Sequence, residues 1–151
     1  MSLVLERRQT ATPTVAAAIV LGLERLDCDL VADDREAAIE RLERSVRPWD
    51  VVVPMGASSV AILCTALTSP REVEAVASRL ADVVRAPMAV GEEIHQVGVC
   101  LGSAIIDPAE ERKDAFARAR EAMLRMRAII ATQGWARAYW ASEPRKRGLR
   151  R

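Results

Sequence analysis

The sequence of 151 residues has few aromatic side chains, with one phenylalanine, one tyrosine and three tryptophans. Proteins that hold single-stranded nucleic acid stack its bases on aromatic rings, so this scarcity argues against RNA binding. The formal net charge is +1, and no overall electrostatic field therefore draws the chain to nucleic acid or to a membrane surface. The chain has no apolar run of the ~20 residues that a membrane span requires and no secretory signal pattern. We expect a cytoplasmic protein that neither inserts into a membrane nor binds nucleic acid.

Residues that bind metals or act as nucleophiles are also scarce. Cys28, Cys64 and Cys100 lie far apart, without the paired spacing of a disulfide framework or a zinc site, so we expect all three to be reduced. Cys64 and Cys100 fall in apolar segments that favour burial of the thiol. The only histidine, His95, has no carboxylate partner identifiable from the sequence and is predicted to lie at the surface or at a sheet edge. These residues do not assemble a nucleophile, a base and an oxyanion site, and we predict no cofactor.

The overall composition is that of a folded protein. Half of the residues are apolar and 28% are charged, a balance typical of globular domains. At this length the chain is expected to form one domain, over residues 14–141, with a flexible arm at 1–13 and a basic flexible tail at 142–151. The positive charges from Arg145 to Arg151 indicate a solubilising tail or, alternatively, an arm that binds phosphate.

Apolar periodicity and turn residues predict the order of the elements. We expect a buried strand over 14–21, an amphipathic helix that ends before Arg47, a hairpin over 51–63, a helix from a Ser69 cap to about Arg85, a second hairpin with one long strand over 94–106, a helix from Asp107 to about Ile130 that Gly134 ends, and an edge strand over 136–141. The acidic stretch from Asp27 to Asp34 is predicted to be turn-like. Helices interleaved with hairpins predict an α/β (α+β) fold, with a mixed central sheet of about five strands and helices packed against it.

Three segments form a pattern along the chain. Arg47 to Val53 leads into the first hairpin, Val99 to Ala104 has the sequence Val-Cys-Leu-Gly-Ser-Ala, and Ala119 to Arg127 has the sequence Ala-Arg-Glu-Ala-Met-Leu-Arg-Met-Arg. In this order and at this spacing they resemble the GGDEF domain of diguanylate cyclases, which condense two GTP molecules into cyclic di-GMP. The resemblance spans about Thr14 to Ala141 and implies the fold of that domain.

The residues that serve catalysis in that family are replaced in this sequence. The family's signature turn, Gly-Gly-Asp-Glu-Phe, falls on Gly56, Ala57, Ser58, Ser59 and Val60. The aspartate that ends the family's first strand and binds Mg²⁺ corresponds to Gly22, and Glu24 stands at the second acidic position. Because metal-assisted phosphoryl transfer depends on such carboxylates, the resemblance implies a domain without cyclase activity.

Two further positions support that expectation. The family has a longer segment after the first strand, with the Asn and Asp that contact guanine, and the stretch from Asp27 to Asp34 is shorter. Arg127 corresponds to a lysine that contacts phosphate in the family. Without the rest of an active site, we expect Arg127 to be a solvated charge on its helix.

One ligand site of the family is retained in outline. Many GGDEF domains bind cyclic di-GMP at an inhibitory Arg-x-x-Asp motif that ends five residues before the signature turn, and Arg47 to Asp50 has that form and spacing. Arg79 falls at the place of a second arginine, on the following helix. A guanidinium can pair with guanine O6 and N7, and a carboxylate can accept from guanine N1 and N2. Asp50 can alternatively serve only to shape the turn, and Trp49 is expected to be a packing residue.

Two functions follow from this pattern. The first is an inactive signalling domain that acts as a cyclic di-GMP receptor through Arg47, Asp50 and Arg79. The second is a nucleotide-free module that docks an unidentified protein partner or forms a homodimer, and the apolar Ala57 and Val60 in the turn favour it. The state of the three ligand-site residues discriminates between the two.

Overall fold

The computed structural model describes residues 14–25 and 28–133. Its elements follow in the order β1 (Val15–Arg25), α1 (Ala32–Ser45), β2 (Val51–Met55), β3 (Ser59–Leu67), α2 (Pro70–Arg85), β4 (Met88–Val90), β5 (Glu93–His95), β6 (Val97–Ile106) and α3 (Arg112–Gln133). The predicted order of strands, helices and hairpins is confirmed over these residues. The predicted arm at 1–13, the helix stop at Gly134, the edge strand at 136–141 and the tail at 142–151 lie outside the described residues.

One antiparallel sheet organises the domain, with the strand order β2-β3-β1-β6. β1 is central, and Gly22 near its end lies between Ser59 of β3 and Cys100 of β6. Residues 17–23 are buried, as predicted for a strand covered on both faces. The α+β class is confirmed. The described sheet has four strands where about five were predicted, and each of its pairings is antiparallel.

The helices cover the two faces of the sheet. Successive side chains of a strand point to opposite faces, so β1 contributes to two cores. Ile19 packs with Leu42 of α1 and Leu80 of α2 on one face. Val20 packs with Met123 of α3 on the other. None of the helices in the described ranges is both long and apolar enough to cross a membrane.

The starts of two helices test the predicted caps. Ser69 accepts a hydrogen bond on its side chain from Glu72 N at 3.4 Å, and the predicted start of α2 is confirmed. The predicted start at Asp107 is wrong, because α3 begins at Arg112. Glu110 N donates to Asp107 O at 3.0 Å and Asp107 N donates to Glu110 Oε1 at 2.9 Å, so the two residues satisfy each other in a closed turn before the helix.

The second hairpin differs from its prediction in one respect. β4 and β5 pair as an antiparallel ribbon, as predicted, but the single long strand over 94–106 is wrong. Extended strand geometry is interrupted at Gln96, and β5 and β6 belong to different sheets. Val97 lies opposite Arg25, the last residue of β1, so β6 begins where the described pairing with β1 ends.

Candidate functional site

Gly22 lies on the face of the sheet that α3 covers. A Cβ atom built at this position would come within 2.6 Å of Arg127 Nη2 and within 2.6 Å of Met123 Sδ. Real Cβ atoms essentially never approach other atoms to under 3.0 Å. The position that corresponds to a metal-binding aspartate in the family therefore cannot carry a side chain while Arg127 stays where it is.

Arg127 is held between the sheet and its own helix. Its Nε is buried and has no hydrogen-bond partner. Burial raises the pKa of the Cys100 thiol, and the Arg127 guanidinium partly opposes that rise, so the two groups lie close together. Arg127 is half-buried, so the interpretation as a solvated helix charge does not hold for its Nε. A fixed positive charge stands where the resemblance implied a divalent cation, and the two would repel each other.

The turn between β2 and β3 is held by hydrogen bonds to its own carbonyl groups. Gly56 has φ +69°, a left-handed conformation that favours glycine, and its carbonyl accepts a hydrogen bond from Arg35 Nη1. Leu23 N of β1 donates to Ser58 O at 2.8 Å. Ser59 is buried in the sheet. The turn thus keeps the shape of a tight hairpin, with no charged side chain at Ser58 or Ser59.

The residues around this turn do not fit Mg²⁺. Glu24 is exposed at the end of β1, opposite Gly98. Ala57 is exposed, and Val60 is buried in the core. In the part of the chain that the structure describes, no three His, Cys, Asp or Glu side chains are placed to hold a metal ion. Oxygen ligands are what Mg²⁺ requires, and an arginine occupies the volume above Gly22 instead.

Arg47 and Asp50 close the turn between α1 and β2. Arg47 N and Arg47 Nε each donate to Asp50 Oδ2 at 3.2 Å. Thr65 N of β3 donates to Asp50 Oδ1 at 3.3 Å, and Arg47 Nη2 donates to Thr65 O at 2.7 Å. The Asp50 side chain is only 3% exposed, whereas that of Arg47 is 30% exposed. The pair therefore fastens the turn to β3, and both carboxylate oxygens of Asp50 are engaged.

Arg79 lies beside this pair. It is exposed on α2, and its Nη1 donates to Ser45 O, at the end of α1, at 3.2 Å. Burial raises the pKa of the Cys64 thiol to about 12; Asp50 adds to the rise, and Arg47 and Arg79 oppose it. Cys64 is free and buried, as predicted. All three predicted ligand-site residues thus affect the pKa of one thiol of β3.

Trp49 completes the same surface. It is 54% exposed, and the centroid of its ring lies 5.3 Å from Arg47 Cζ. A guanidinium within about 6 Å of an indole ring makes a cation–π contact. The interpretation of Trp49 as a packing residue does not fit this position, because more than half of the residue is exposed and its ring faces Arg47 instead of a core. We call Arg47, Trp49, Asp50 and Arg79 the arginine strip.

The sequence comparison decides the family. The model of the diguanylate cyclase GGDEF domain matches residues 36–130, more than half of the chain. The chain belongs to the GGDEF domain family. No curated protein matches its sequence.

Solved GGDEF domains share the fold. The GGDEF domain of PA1120 (YfiN or TpbB) from Pseudomonas aeruginosa is 17% identical, with a TM-score of 0.62 over 89% of this chain and 86% of that one. The GGDEF domain of DgcB from Caulobacter crescentus, solved in complex with c-di-GMP, is 14% identical, with a TM-score of 0.57 over 84% and 79%. The diguanylate cyclase SiaD from Pseudomonas aeruginosa, solved with its activator SiaC, is 18% identical, with a TM-score of 0.56 over 82% and 53%.

This GGDEF domain also contains a buried ionic cluster. His95 is 8% exposed, with Nδ1 2.5 Å from Asp34 Oδ1 and Nε2 2.7 Å from Glu93 Oε1. Asp34 is fully buried and also accepts from Arg25 Nη1 at 3.3 Å and from Val31 N at 3.0 Å. Of the two predicted positions for His95, the surface is wrong and the sheet edge is confirmed, since β5 is a strand of a two-stranded ribbon. The two carboxylate partners were not identifiable from the sequence. Asp34 lies inside α1, so the described part of the acidic stretch is turn-like only over residues 28–31.

The cluster shifts the pKa values of its members. Hydrogen bonds to Glu93 and to Asp34 raise the pKa of His95. Burial works against the charged form of Asp34, but hydrogen bonds from Val31 N, His95 and Arg25 outweigh it and lower the pKa of Asp34. The i and i+2 positions of Glu93 and His95 in one strand place them on the same face, a signal present in the sequence. The contact with Asp34 had no such signal, because it joins residues 61 positions apart.

Proposed function

We propose that this chain is a cytoplasmic, catalytically inactive GGDEF domain, which acts by binding and not by making cyclic di-GMP. The observation that carries the proposal is the Arg127 guanidinium in the volume above Gly22. Phosphoryl transfer depends on a metal cation held by carboxylates against the reacting phosphates. Gly22, Ser58 and Ser59 supply none of those carboxylates, and Arg127 repels a cation from the position.

The connection between β1 and α1 supports the same proposal. Only residues 26–31 separate the two elements, because α1 already begins at Ala32. Asp34, one of the acidic residues of this region, is buried in the cluster with His95 and is unavailable to a nucleotide. The segment is thus too short to supply the residues that contact guanine in active relatives.

A cyclase assay tests the proposal of inactivity. We expect purified protein incubated with GTP and Mg²⁺ to form no cyclic di-GMP above a blank without protein, whereas an active diguanylate cyclase in parallel does. The triple variant Gly22→Asp, Ser58→Asp, Ser59→Glu should also be inactive, because the β1–α1 connection is unchanged. Product from the unmodified chain contradicts the proposal, and rescue by the triple variant contradicts the role given to the connection.

The arginine strip is the proposed receptor site for cyclic di-GMP. Two guanidinium groups, those of Arg47 and Arg79, lie at one surface, and such groups bind phosphate and guanine acceptors well. Asp50 holds Arg47 in place through its two contacts with Oδ2. The nitrogens of Arg79 other than Nη1 face no acceptor among the contacts of this surface. The strip therefore offers a ligand two guanidinium groups. That of Arg47 is held by Asp50, and that of Arg79 makes a single hydrogen bond among these contacts.

Calorimetric titration with cyclic di-GMP tests this site. A charge-assisted hydrogen bond contributes about 1.5–3 kcal/mol, so Arg79→Ala should weaken binding by about tenfold or more. Arg71→Ala, at an exposed position of the same helix, is the matched control and should bind as the unmodified chain does. Binding that persists in a variant lacking both Arg47 and Arg79 places the ligand elsewhere.

The edge of the sheet favours a second candidate, a nucleotide-free interaction or dimerisation module. β2 is an edge strand of the described sheet, and its Val51 and Val53 are 48% and 44% exposed. An exposed apolar strand edge is a surface on which another protein or a second copy can dock. No binding of cyclic di-GMP at millimolar concentration, together with dimerisation in sedimentation experiments that Val53→Lys abolishes, would establish this candidate over the receptor.

A further inference from the structure

An apolar and acidic surface surrounds the buried cluster of His95 and Asp34. Ile94 of β5 is 70% exposed, and Val31, just before α1, is 49% exposed. Val31 N and His95 Nδ1 both contact the Asp34 carboxylate, so Val31 and Ile94 border the same cluster. Exposed carboxylates stand within two residues of Val31 or Ile94 in the sequence, on Asp29, Asp33, Glu92 and Glu93. We call Val31, Ile94 and these four carboxylates the acidic end.

α3 runs toward the acidic end. A Cβ atom at Gly102, which pairs with Val20 of β1, would meet Ala119 O of α3. A Cβ atom at Gly22, two residues later on β1, would meet Arg127. The helix and the central strand therefore run in the same direction.

The last residue of α3 lies level with the end of β1. Gln133 is six residues beyond Arg127, about 9 Å along the helix at ~1.5 Å per residue. Arg25 is three residues beyond Gly22, about 10 Å along the strand at ~3.3 Å per residue. Arg25 Nη1 donates to Asp34 of the buried cluster. Residue 134 thus follows α3 at the same end of the sheet as the acidic end.

The residues that follow α3 match this surface in chemistry. Residues 134–151 include Trp135, Tyr139 and Trp140, three of the five aromatic residues of the chain. They also include six basic side chains and one acidic side chain, Glu143. Eighteen residues span up to ~60 Å when extended, so the length of the segment does not limit its reach. A covalently attached segment acts at an effective concentration of about 1 mM, which favours it over a separate partner of the same chemistry.

The edge strand predicted over 136–141 is the competing placement for this segment. Three backbone groups of β6 bond to side chains and not to another strand. They are Val99 O with Arg85 Nη2 at 3.4 Å, Leu101 N with Met126 Sδ at 3.3 Å and Ile105 O with Arg118 Nη2 at 3.0 Å. On β2, the other edge strand of the described sheet, Pro54 has no N–H to donate. A fifth strand therefore has to displace side chains at one edge or lose a hydrogen bond at the other.

We propose that residues 134–151 dock on the acidic end of the same molecule. The aromatic side chains cover Ile94 and Val31, and the cations pair with the surrounding carboxylates. Exposed ion pairs are weak singly, so the apolar contact and several charges act together. α1 begins at the acidic end and ends at the arginine strip, and the docking does not depend on whether the strip binds cyclic di-GMP.

Contact quenching by tryptophan tests this docking in the full chain. Ile94→Cys in the background Cys28→Ser places an exposed thiol at the acidic end for a bimane label, while Cys64 and Cys100 are buried. Removal of both indoles of the segment, with Trp135→Phe and Trp140→Phe, should raise the bimane emission about twofold or more, as expected when at least half of the molecules are docked. The label at Ala75→Cys, an exposed position of α2, is the control and should not respond to the same two changes.

The role of charge is tested with the same label. Raising NaCl from about 0.1 M to about 1 M shortens the screening length from ~10 Å to ~3 Å and should restore the emission. Asp29→Lys with Glu92→Lys should restore it as well, whereas Glu74→Lys, at an exposed position of α2, should not.

Three outcomes overturn the inference. Emission at Ile94→Cys that does not depend on the two indoles places the segment elsewhere, as an added edge strand would. Quenching that grows with protein concentration comes from a second copy of the chain. Quenching that persists in high salt and in the variant Asp29→Lys, Glu92→Lys shows that the carboxylates do not hold the segment.

Discussion

His95 illustrates how single residues stabilise this domain. Its two ring nitrogens face two carboxylates, and both can donate only when the imidazole is protonated. The Arg25 guanidinium is the other charged group at the buried Asp34. This arrangement ties the β4–β5 ribbon to the first turn of α1 and to the end of β1. The charge state of one histidine therefore affects how three elements are held together.

Stability should consequently depend on pH through His95. Its pKa is raised from 6.5, so its contribution is complete below about pH 6.5 and is lost as the pH rises through the raised value. The pKa of Asp34 is lowered from 3.8, so its contribution is present above about pH 3.8 and is lost as the pH falls through the lowered value. Thermal melts should show the melting temperature falling above neutrality.

The variant His95→Gln tests whether His95 causes the fall in melting temperature above neutrality. It removes the titrating group, so its melting temperature should be lower near pH 6 and should change less between pH 6 and pH 9. A variant that keeps the full slope of the unmodified chain would show that another group is responsible.

Among the elements, α3 lies unusually close to the sheet. A Cβ at Gly102 of β6 would overlap the backbone of α3 at Ala119 O and Met123 N. Gly22 and Gly102 together leave the space that Met123 and Arg127 occupy. The absence of side chains at these two glycines is thus what allows the helix to lie so close to the sheet.

Met123 is the residue that tests this packing. It is 1% exposed between α3 and the sheet. Met123→Asp would bury an unpaired charge, whose cost of several kcal/mol is comparable with the ~5–15 kcal/mol of total stability of a domain. We expect the variant to be unfolded or strongly destabilised in urea denaturation monitored by circular dichroism.

Arg120→Asp provides the matched control for that experiment. It introduces the same side chain at an exposed position one turn earlier on α3 and should unfold near the midpoint of the unmodified chain. If Met123→Asp unfolds at the same urea concentration as Arg120→Asp, the described position of α3 on the sheet is wrong.

At the scale of the whole molecule, the domain has the GGDEF fold and carries arginine side chains at two separate places. Arginine guanidinium groups lie at Gly22 and at the Gly56 carbonyl, where the family's signature turn and first strand meet. The arginine strip, by contrast, lies at the end of α1, where Arg79 contacts Ser45. The volume above Gly22 and the arginine strip, the two places on which the proposed function rests, are thus separate parts of the domain.

Divalent metal should therefore have no effect on the folded state. A ligand that binds only the folded state stabilises it by about 2.7 kcal/mol at a hundred times its dissociation constant, which is readily seen as a shift in melting temperature. We expect equal melting temperatures in about 5 mM Mg²⁺ and in excess EDTA at matched ionic strength. About 5 mM is roughly saturating for a typical protein site of this ion. A higher melting temperature in Mg²⁺ than in EDTA, with a larger difference in the variant Arg127→Ala, would show that a metal competes with the guanidinium.

The sequence by itself determined the order of the elements, the resemblance to the family and the serines in its signature turn, because these depend on local periodicity, on caps such as Ser69 and on identities such as Ser58 and Ser59. Only the tertiary structure decided which side chains meet. Arg127 fills the volume above Gly22, and His95 finds a partner 61 residues away. Such contacts depend on how closely helices approach the sheet. Local propensity, which acts over a few neighbouring residues, does not specify that approach.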